Sequence, residues 1–303
     1  MASLAKLLKS TVQHPLNARD MRSKLSAISR VARWQLASRL MPEADFILPF
    51  VGDSRLVVSR GMVGATGNWY SGLDEADEMA FLLHARRLGD LFLDIGANVG
   101  SYTILASTIP GVTGLAFEPV PETFEKLQRN LVLNTVSDRF EGRQMGVGAR
   151  SERLRFTIGL DSMNFVSDDA GAEIETVEVP VVRLDDVVPR DIPGRLVAKI
   201  DVEGFEMAVL EGGVETLGSP NFLAVIMETN GSGERYGSSD VQLFRRMAEL
   251  GFDPFWYNAL DRSLVAAEPN QRSRINTLFL KDVDEVSNRV REAARSVLVN
   301  GTI

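Results

Sequence analysis

Three acidic residues stand where short apolar runs of the sequence end. Asp94 lies in LFLDIG, Glu118 closes VTGLAFE, and Asp201 follows LVAKI. The first run continues into a glycine-containing loop, residues 96–100, which allows a tight turn and close approach of a ligand to the backbone. An acid about twenty residues after such a loop is placed to accept hydrogen bonds from the two hydroxyls of a ribose. Asp94 and Glu118 together therefore indicate a ligand that contains adenosine.

The same loop distinguishes between adenosine ligands. A dinucleotide-binding loop requires the pattern G-x-G-x-x-G, and the matching positions are Gly96, Asn98 and Ser101, so two of the three glycines are missing. The carboxylate of Asp94, just before the loop, would repel a pyrophosphate and attract an ammonium or a sulfonium. This charge pattern favours S-adenosylmethionine, which carries both cations, over NAD. An NAD-dependent dehydrogenase is the enzymatic alternative.

Further acids follow the fourth and fifth predicted strands. Asp201 and Glu203 end the fourth strand, Glu228 ends the fifth, and Lys199 lies two residues before Asp201. A hydroxyl that attacks a methyl group must lose its proton, and a carboxylate can act as the general base. Lys199 could neutralise the developing alkoxide or pair with one acid. We predict a site without a metal; a divalent cation held by the acids is the alternative, and helix-end stabilisation is the alternative for Glu203.

The composition narrows the class of protein. The chain has 303 residues, 45% of them hydrophobic, and contains no cysteine, which excludes a disordered chain, a disulfide scaffold, thiolate metal sites and cysteine nucleophiles. Two histidines argue against a Ser-His-Asp site, and a net charge of -8 argues against a nucleic-acid partner. No apolar stretch reaches the roughly 18 residues of a membrane span, and no secretory signal is evident. We therefore expect a cytoplasmic protein.

The charge is unevenly distributed along the chain. Residues 1–40 carry +7, so the remainder carries -15. We interpret residues 1–42 as a basic helical arm that is semi-independent and packs on its own body or on a second subunit, which would make the protein a homodimer. Peripheral contact with an anionic membrane or glycan surface and a cleaved transit peptide are the alternatives. Apolar residues recur in this arm at helical spacing: Leu4, Leu7, Leu8 and Val12.

The remaining pattern predicts an N-terminal extension over residues 43–89 and an α/β domain over 90–303. The extension reads as two short strands, an ordered glycine-rich loop over 61–72, and a helix over 74–88. From residue 90, buried strands alternate with amphipathic helices, which predicts a mostly parallel open sheet with an antiparallel end. We expect a third strand over 139–148, antiparallel additions at 154–159 and 177–184, and one helix over 205–217. Ligands of such sheets bind beyond the carboxyl ends of the strands.

Four segments in this domain resemble the FkbM-type methyltransferase family. The segments are FLDIGANVGSYTILAS, AFEPVPETFEKLQRNLVLN, VPVVRLDDVV and LVAKIDVEGFEMAVLEG, in this order. The resemblance covers about residues 90–282, and the first 90 residues lie outside its motifs. It implies a class I, Rossmann-like fold that uses S-adenosylmethionine to methylate hydroxyl groups of sugars or of polyketide-type natural products.

We assign residues to three groups on these grounds. Asp94 would act on the methionine portion and Glu118 on the ribose; the third strand has no acid for the adenine, so residues 144–146 take that role. The cofactor-binding prediction comprises Asp94, Gly96, Asn98, Gly100, Ser101, Glu118, Gln144, Met145, Gly146 and Asp201. The catalytic prediction comprises Asp201, Glu203, Glu228 and Lys199. The acceptor-side prediction comprises Trp69, Tyr70, Ser162 and Asn164, for which ordinary loop packing is the alternative.

These assignments converge on one functional hypothesis. We expect an O-methyltransferase that acts on a hydroxyl of a sugar or glycan, with a small molecule or glycan as its partner. A polyketide or peptide natural product is the alternative acceptor. A non-catalytic binding protein that retains the fold is the alternative from another class.

Overall fold

The computed structural model describes residues 4–159, 164–166, 175–268 and 275–303. The helices are α1 (Leu4–Gln13), α2 (Pro15–Ala18), α3 (Met21–Leu40), α4 (Val63–Ser71), α5 (Ala76–Ala85), α6 (Ser101–Ser107), α7 (Pro121–Leu133), α8 (Leu184–Val187), α9 (Glu206–Gly212), α10 (Val214–Gly218), α11 (Asp240–Glu249) and α12 (Val283–Glu292). The strands are β1 (Phe46–Pro49), β2 (Arg55–Val58), β3 (Leu91–Ile95), β4 (Thr113–Phe117), β5 (Phe140–Arg143), β6 (Gly146–Val147), β7 (Glu152–Thr157), β8 (Thr176–Val182), β9 (Leu196–Ile200), β10 (Phe222–Glu228), β11 (Asp253–Asn258), β12 (Ser263–Ala266), β13 (Asn276–Leu280), β14 (Val297–Leu298) and β15 (Gly301–Thr302).

The main sheet has eight strands in the order β12-β11-β13-β10-β9-β3-β4-β5. The five strands from β5 to β10 in this order pair in parallel, whereas β13 is antiparallel to both β10 and β11. The predicted mostly parallel sheet with an antiparallel end is therefore confirmed, and it is the class I methyltransferase architecture. The sequence pattern did not indicate β12, which forms a hairpin with β11.

The central strands are buried on both faces, which explains their continuous apolar sequences. All residues of β3, β9 and β10 are buried. Neighbouring residues of β3 point to opposite faces, so Phe92 joins one hydrophobic cluster and Leu93 joins another. The cluster around Phe92 also contains Phe81 of α5 and Leu16, which precedes α3. The segments before β3 thus pack into the same core as the sheet.

Three local predictions were wrong. Residues 61–72 contain helix α4 instead of a loop, because the helix packs onto α3 and β2 and this tertiary contact outweighs the low helix propensity of its glycines. The expected third strand over 139–148 divides into β5 and β6. Strand β6 leaves the main sheet and forms a separate three-stranded sheet, in the order β6-β8-β7, with the strands expected as additions. The helix expected over 205–217 breaks at Gly213 into α9 and α10.

The N-terminal arm is packed on the protein. Leu7 and Leu8 contact the core, so part of the apolar pattern in α1 faces inward. Arg30 is buried, and its guanidinium donates hydrogen bonds to the Tyr70 carbonyl at 2.8 Å and to Asn17 Oδ1 at 3.0 Å. The arm is thus held by a buried polar network instead of being semi-independent. Across the described ranges, none of the helices combines the length and apolarity needed to span a membrane.

Candidate active site

A cavity of about 330 Å³ lies at the carboxyl ends of β3, β4, β9 and β10. This is the position at which open α/β sheets bind ligands. Twelve of the predicted site residues line it: Asp94, Gly96, Asn98, Ser101, Glu118, Met145, Gly146, Asn164, Lys199, Asp201, Glu203 and Glu228. The structure therefore brings together residues that are more than 100 positions apart in the sequence.

The loop after β3 is fixed between its two neighbouring strands. The N–H of Gly96 donates to the carbonyl of Phe117 at 3.0 Å, and the N–H of Asp201 donates to the carbonyl of Ile95 at 2.9 Å. Gly96 has a φ of +82°, and a Cβ atom there would overlap the carbonyl oxygen of Asp201. Only glycine fits this backbone contact, which joins the loop after β3 to the loop after β9.

Glu118 closes one end of the cavity. Its Oε2 accepts the N–H of Asn98 and its Oε1 accepts the N–H of Val120, both at 2.9 Å. Asn98 has a φ of +51°, a conformation that asparagine tolerates better than most residues. Burial raises the pKa of Glu118 to about 7, while the two N–H donors oppose the rise. Each carboxylate oxygen can accept a second hydrogen bond, so the side chain can still bind ligand hydroxyls.

Asp94 belongs to β3, the strand between β4, which Glu118 follows, and β9, which Asp201 and Glu203 follow. It is 1% exposed and accepts a hydrogen bond from the hydroxyl of Thr103, a residue of α6. Burial raises the pKa of Asp94 to about 6, against the lowering effects of Thr103 and Lys199. A cationic ligand group that approached Asp94 would favour its ionised form.

Three carboxylates lie close together at the end of the cavity opposite Glu118. Asp201, Glu203 and Glu228 each offer an oxygen, and these oxygens all lie within 4.8 Å of one another. Burial, and then the charges of the other acids, raise the pKa of Glu203 to about 7 and that of Glu228 to about 9. This spacing could hold a divalent cation, or it could give one carboxylate the basicity that proton abstraction needs.

Lys199 provides the positive charge next to this acidic cluster. Its ammonium forms a salt bridge with Asp201 and lies 4.7 Å from the centre of the Tyr102 ring. Burial alone would lower the pKa of Lys199, but the charges of Asp201 and Glu75 raise it above its usual range. Lys199 is thus a fixed cation and does not act as a base.

The loop that carries Glu203 has a strained backbone, and Glu206 holds this loop through hydrogen bonds. Glu203 has a φ of +54°, in the left-handed region that glutamate rarely adopts. The buried Glu206 is the first residue of α9, and its Oε1 accepts the N–H groups of Val202 at 3.2 Å and Gly204 at 3.1 Å. Sequence reasoning missed Glu206, although an acid in the first turn of a helix after a glycine is a signal for this role.

The N-terminal extension also contributes to the cavity. Glu75 accepts hydrogen bonds from the hydroxyl of Tyr102 at 2.6 Å and from the side-chain amide of Asn276 at 2.8 Å. Asn68 of α4 lines the cavity and donates to the hydroxyl of Ser101 at 3.3 Å. The sequence offered no signal for Glu75 or Asn68, since their place in the site depends on tertiary packing of the extension.

Several predicted site residues lie elsewhere. Trp69 donates from Nε1 to the carbonyl of Arg30 at 3.3 Å, and Tyr70 is buried in the core; neither lines the cavity. The part of this segment that lines the cavity is residues 62–65 and Asn68. Two of the predicted cofactor residues are also absent from the cavity wall, and one acceptor-side residue cannot be placed. These three are Gln144, which is exposed, Gly100, which caps the N-terminus of α6 with a φ of +88°, and Ser162, which lies outside the described residues.

Sequence comparison identifies the family. Residues 94–254, just over half of the chain, match the Methyltransferase FkbM domain. The chain belongs to the FkbM methyltransferase family. It is 32% identical over 159 residues to the hexuronic acid methyltransferase AglP of Haloferax volcanii, with 50% of this chain and 61% of the relative covered. It is 34% identical over 189 residues to the 31-O-demethyl-FK506 methyltransferase FkbM of Streptomyces tacrolimicus, with 50% of this chain and 71% of the relative covered.

Solved structures give a weaker comparison. A precorrin-6y C5,15-methyltransferase from Geobacter metallireducens aligns with 77% of this chain and 98% of its own, at 10% identity and a TM-score of 0.42. TrmK of M. capricolum, solved with S-adenosyl-homocysteine, covers 68% of each chain at 10% identity and a TM-score of 0.37. The assignment of the fold therefore rests on the strand order and on the family.

Proposed function

We propose that this chain is an S-adenosylmethionine-dependent O-methyltransferase whose acceptor is a hydroxyl of a sugar or glycan. The observation that carries the proposal is the division of a single cavity. Glu118 and Asp94 form one end, and the cluster of Asp201, Glu203 and Glu228 forms the other. A cofactor bound at the first end would direct its reactive group toward acids that can take a proton.

The first end suits a cationic nucleoside ligand. The ionised Glu118 can accept hydrogen bonds from ribose hydroxyls, and the buried Asp94 favours a positively charged methionine group nearby. Gly96 lets that ligand approach the backbone closely. Met145, just before β6, and Gly146, the first residue of β6, line the cavity and are our candidates for the adenine contact.

The second end suits a hydroxyl acceptor. In methyl transfer the acceptor oxygen forms a bond to the methyl carbon, the carbon–sulfur bond breaks with its electron pair staying on sulfur, and the hydroxyl proton must leave. The enzyme mainly holds the oxygen about 3–3.5 Å from the methyl carbon. A carboxylate of the acidic cluster takes the proton, and Lys199 balances the charge on Asp201.

The names of the relatives support a sugar as the acceptor and also suggest a second class of acceptor. One relative is named for a hexuronic acid and the other for a demethylated form of FK506. The second name favours a natural product as the alternative acceptor. Measuring S-adenosylhomocysteine release with a panel of methyl glycosides, oligosaccharides and macrolide hydroxyls distinguishes the two. A panel without any release would support a non-catalytic binding protein.

Two substitutions test how the cavity is divided. Glu118→Ala should weaken S-adenosylhomocysteine binding by roughly 10- to 100-fold, the loss expected for hydrogen bonds to a charged group. Asp201→Ala should leave that affinity within about twofold and lower kcat by roughly 100-fold or more, as removal of acid–base chemistry does. Calorimetry and initial rates on both variants provide the measurement. Equal loss of binding in both variants would contradict the division.

A further inference from the structure

The acidic cluster has a feature that a general base alone does not explain. Glu228 is 9% exposed, and its Oε2 has no hydrogen-bond partner within the described part of the chain. A buried carboxylate oxygen without a donor costs free energy, because water no longer solvates it. Glu228 lines the cavity beside Asp201 and Glu203. Solvent, a bound proton or a cation from outside the polypeptide can satisfy this oxygen.

The spacing of the oxygens fits a metal ion. Two oxygens bound to one ion at about 2.1–2.5 Å lie at most about 5 Å apart, and the oxygens of Asp201, Glu203 and Glu228 are within 4.8 Å of one another. Lys199 forms its salt bridge with Asp201. Over the ranges that the structure describes, no salt bridge involves Glu203 or Glu228, so neither carboxylate has a cationic partner in direct contact.

We propose that Asp201, Glu203 and Glu228 bind one hard divalent cation, of the Mg²⁺ or Mn²⁺ class, at the acceptor end of the cavity. All the ligand atoms are carboxylate oxygens, which such cations prefer. The role of the ion rests on the proposed function, whereas its binding does not. An ion held there would coordinate the acceptor hydroxyl and lower its pKa. The proton would pass to a free carboxylate oxygen of the half-buried Glu203 and from there to solvent.

Titration with Mn²⁺ alone tests the site. Electron paramagnetic resonance of free Mn²⁺ should show one bound ion per chain. Glu228→Gln should weaken binding by at least roughly tenfold, a loss that even outer-sphere partners of metal sites produce. Glu203→Gln should do the same and serves as the second variant if Glu228→Gln does not fold. Glu178→Gln, on the exposed face of β8, is the matched control and should bind Mn²⁺ like the unmodified protein.

The possible outcomes distinguish failure of the cation site from failure of the proposed methyl transfer. Absence of Mn²⁺ binding, or equal binding by Glu228→Gln, overturns the cation site; S-adenosylhomocysteine binding and methyl transfer would then still support the proposed function. Bound Mn²⁺ with no methyl transfer to any acceptor overturns the proposed function and supports the site. Where transfer is found, EDTA should abolish it and Mg²⁺ should restore it; activity that is insensitive to EDTA overturns the role of the ion.

A separate observation concerns the outer surface of α3. The inner face of this helix is buried through Ala27, Val31 and Trp34. The opposite face is not polar, as the exposed side of a helix usually is. Residues 40–71% exposed form an apolar row along it: Met21, Leu25, Ile28, Leu36 and Leu40. This row is a continuous apolar stripe on the exposed side of the helix.

The charge around the row indicates the kind of partner. Helix α3 contains no acidic residue, and its Arg22, Arg33 and Arg39 are exposed. Residues 1–40 carry +7 in total. A second copy of the chain placed on this face would bring the same positive charge against it, which disfavours self-association. An apolar face flanked by basic residues is typical of helices that lie in the plane of an anionic membrane.

We infer that the outer face of α3 docks on an anionic membrane surface. The apolar row would enter the headgroup boundary, while the arginines would remain near the lipid phosphates. Because α1 and the inner face of α3 pack on the rest of the protein, docking would hold the whole chain at the membrane. This inference does not depend on the proposed function.

Vesicle co-sedimentation tests the docking face. Vesicles of phosphatidylcholine with about one-third phosphatidylglycerol should bind the protein more tightly than pure phosphatidylcholine, and added salt should weaken binding. The double variant Leu25→Ser and Leu36→Ser should reduce binding by at least roughly tenfold, since burial of one leucine is worth that much. Val132→Ser on α7, an equally exposed apolar position, is the matched control.

Three results overturn this second inference. They are absence of binding to anionic vesicles, equal binding of the double variant and the unmodified protein, and sedimentation of the unmodified protein as a dimer that the double variant abolishes. The last result would assign the face to a second copy of the chain.

Discussion

The buried acids at the two ends of the cavity differ in their hydrogen-bond partners. At the cofactor end, each oxygen of Glu118 accepts a backbone N–H, and Asp94 accepts a hydroxyl. At the acceptor end, Glu228 keeps an unsatisfied oxygen beside Asp201 and Glu203. The pKa of Glu118 rises to about 7, whereas that of Glu228 rises to about 9. The acids of the first end thus have hydrogen-bond donors on the protein, whereas one oxygen of Glu228 at the second end has none within the described part of the chain.

The largest effect should come from a change that damages both ends. Gly96→Ala places a Cβ against the Asp201 carbonyl at a φ of +82°. We expect a loss of stability on the order of 3 kcal/mol or more, from overpacking and backbone strain, together with loss of S-adenosylhomocysteine binding. Thermal unfolding and calorimetry measure both. Gly89→Ala is the control, because Gly89 has a φ of +87° and open space around it. Equal stability of the two variants would contradict the backbone contact.

A change at Glu206 should have a smaller effect, on turnover and not on cofactor binding. Glu206→Ala leaves the N–H groups of Val202 and Gly204 without an acceptor, so the loop that carries Glu203 should shift. We expect kcat to fall by roughly 100-fold, because small displacements of reacting groups cost that much, with cofactor affinity nearly unchanged. Glu206→Gln should restore most of the activity, since its amide oxygen can accept both bonds. A lack of rescue would show that Glu206 acts through its charge.

The pH dependence of cofactor binding should report on the first end. Only the ionised form of Glu118 accepts hydrogen bonds with both oxygens, and its pKa is raised to about 7. Affinity for S-adenosylhomocysteine should therefore fall as the pH drops below 7, by up to about tenfold per pH unit. Asp94, with a pKa raised to about 6, adds to the fall at lower pH. Calorimetry from pH 5.5 to 8.5 measures this, and Glu118→Gln should flatten the profile above pH 6.

The smallest effect on activity is expected from a change at Trp69, which does not line the cavity. Trp69→Phe removes one hydrogen bond to the Arg30 carbonyl and should cost about 0.5–1.5 kcal/mol of stability. Its kcat/KM should stay within about twofold of the unmodified value, because Trp69 does not line the cavity. The neighbouring variant Asn68→Ala loses a hydrogen bond to Ser101 on the cavity wall and should lower kcat/KM more than Trp69→Phe does. A larger kinetic effect of Trp69→Phe than of Asn68→Ala would show that Trp69 contacts the acceptor.

The sequence predicted the parts of the site that lie at strand ends. Asp94, Glu118, Asp201 and Glu228 each follow a buried apolar run, and parallel strands bring such ends to one edge of the sheet. The mostly parallel sheet with an antiparallel end was predicted from the alternation of buried strands with helices, whereas the order of the strands was not predicted. The assignments of Glu203 and Lys199 to the cavity followed from their distance to Asp201 along the chain.

The remaining features depend on packing between distant segments. Helix α4 has a glycine-rich sequence that favours a loop, and contacts with α3 and β2 make it helical. Trp69 was predicted on the acceptor side, but its indole N–H donates to the Arg30 carbonyl of the arm instead. Glu75 reaches the cavity through Tyr102 and Asn276, which are 27 and 201 residues away in the sequence. No local pattern encodes such distances.

The position of α4 has a practical consequence for changing the acceptor. Residues 62–65 and Asn68 line the cavity, yet they precede the first strand of the main sheet and share no segment with the cofactor end. A graft of residues 62–75 from a relative with another acceptor would exchange part of the acceptor wall as one continuous piece. The loops after β3, β4 and β9 would keep their sequence, but Asn68 and Glu75 contact Ser101 and Tyr102 at the start of α6, so such a graft has to preserve these two contacts.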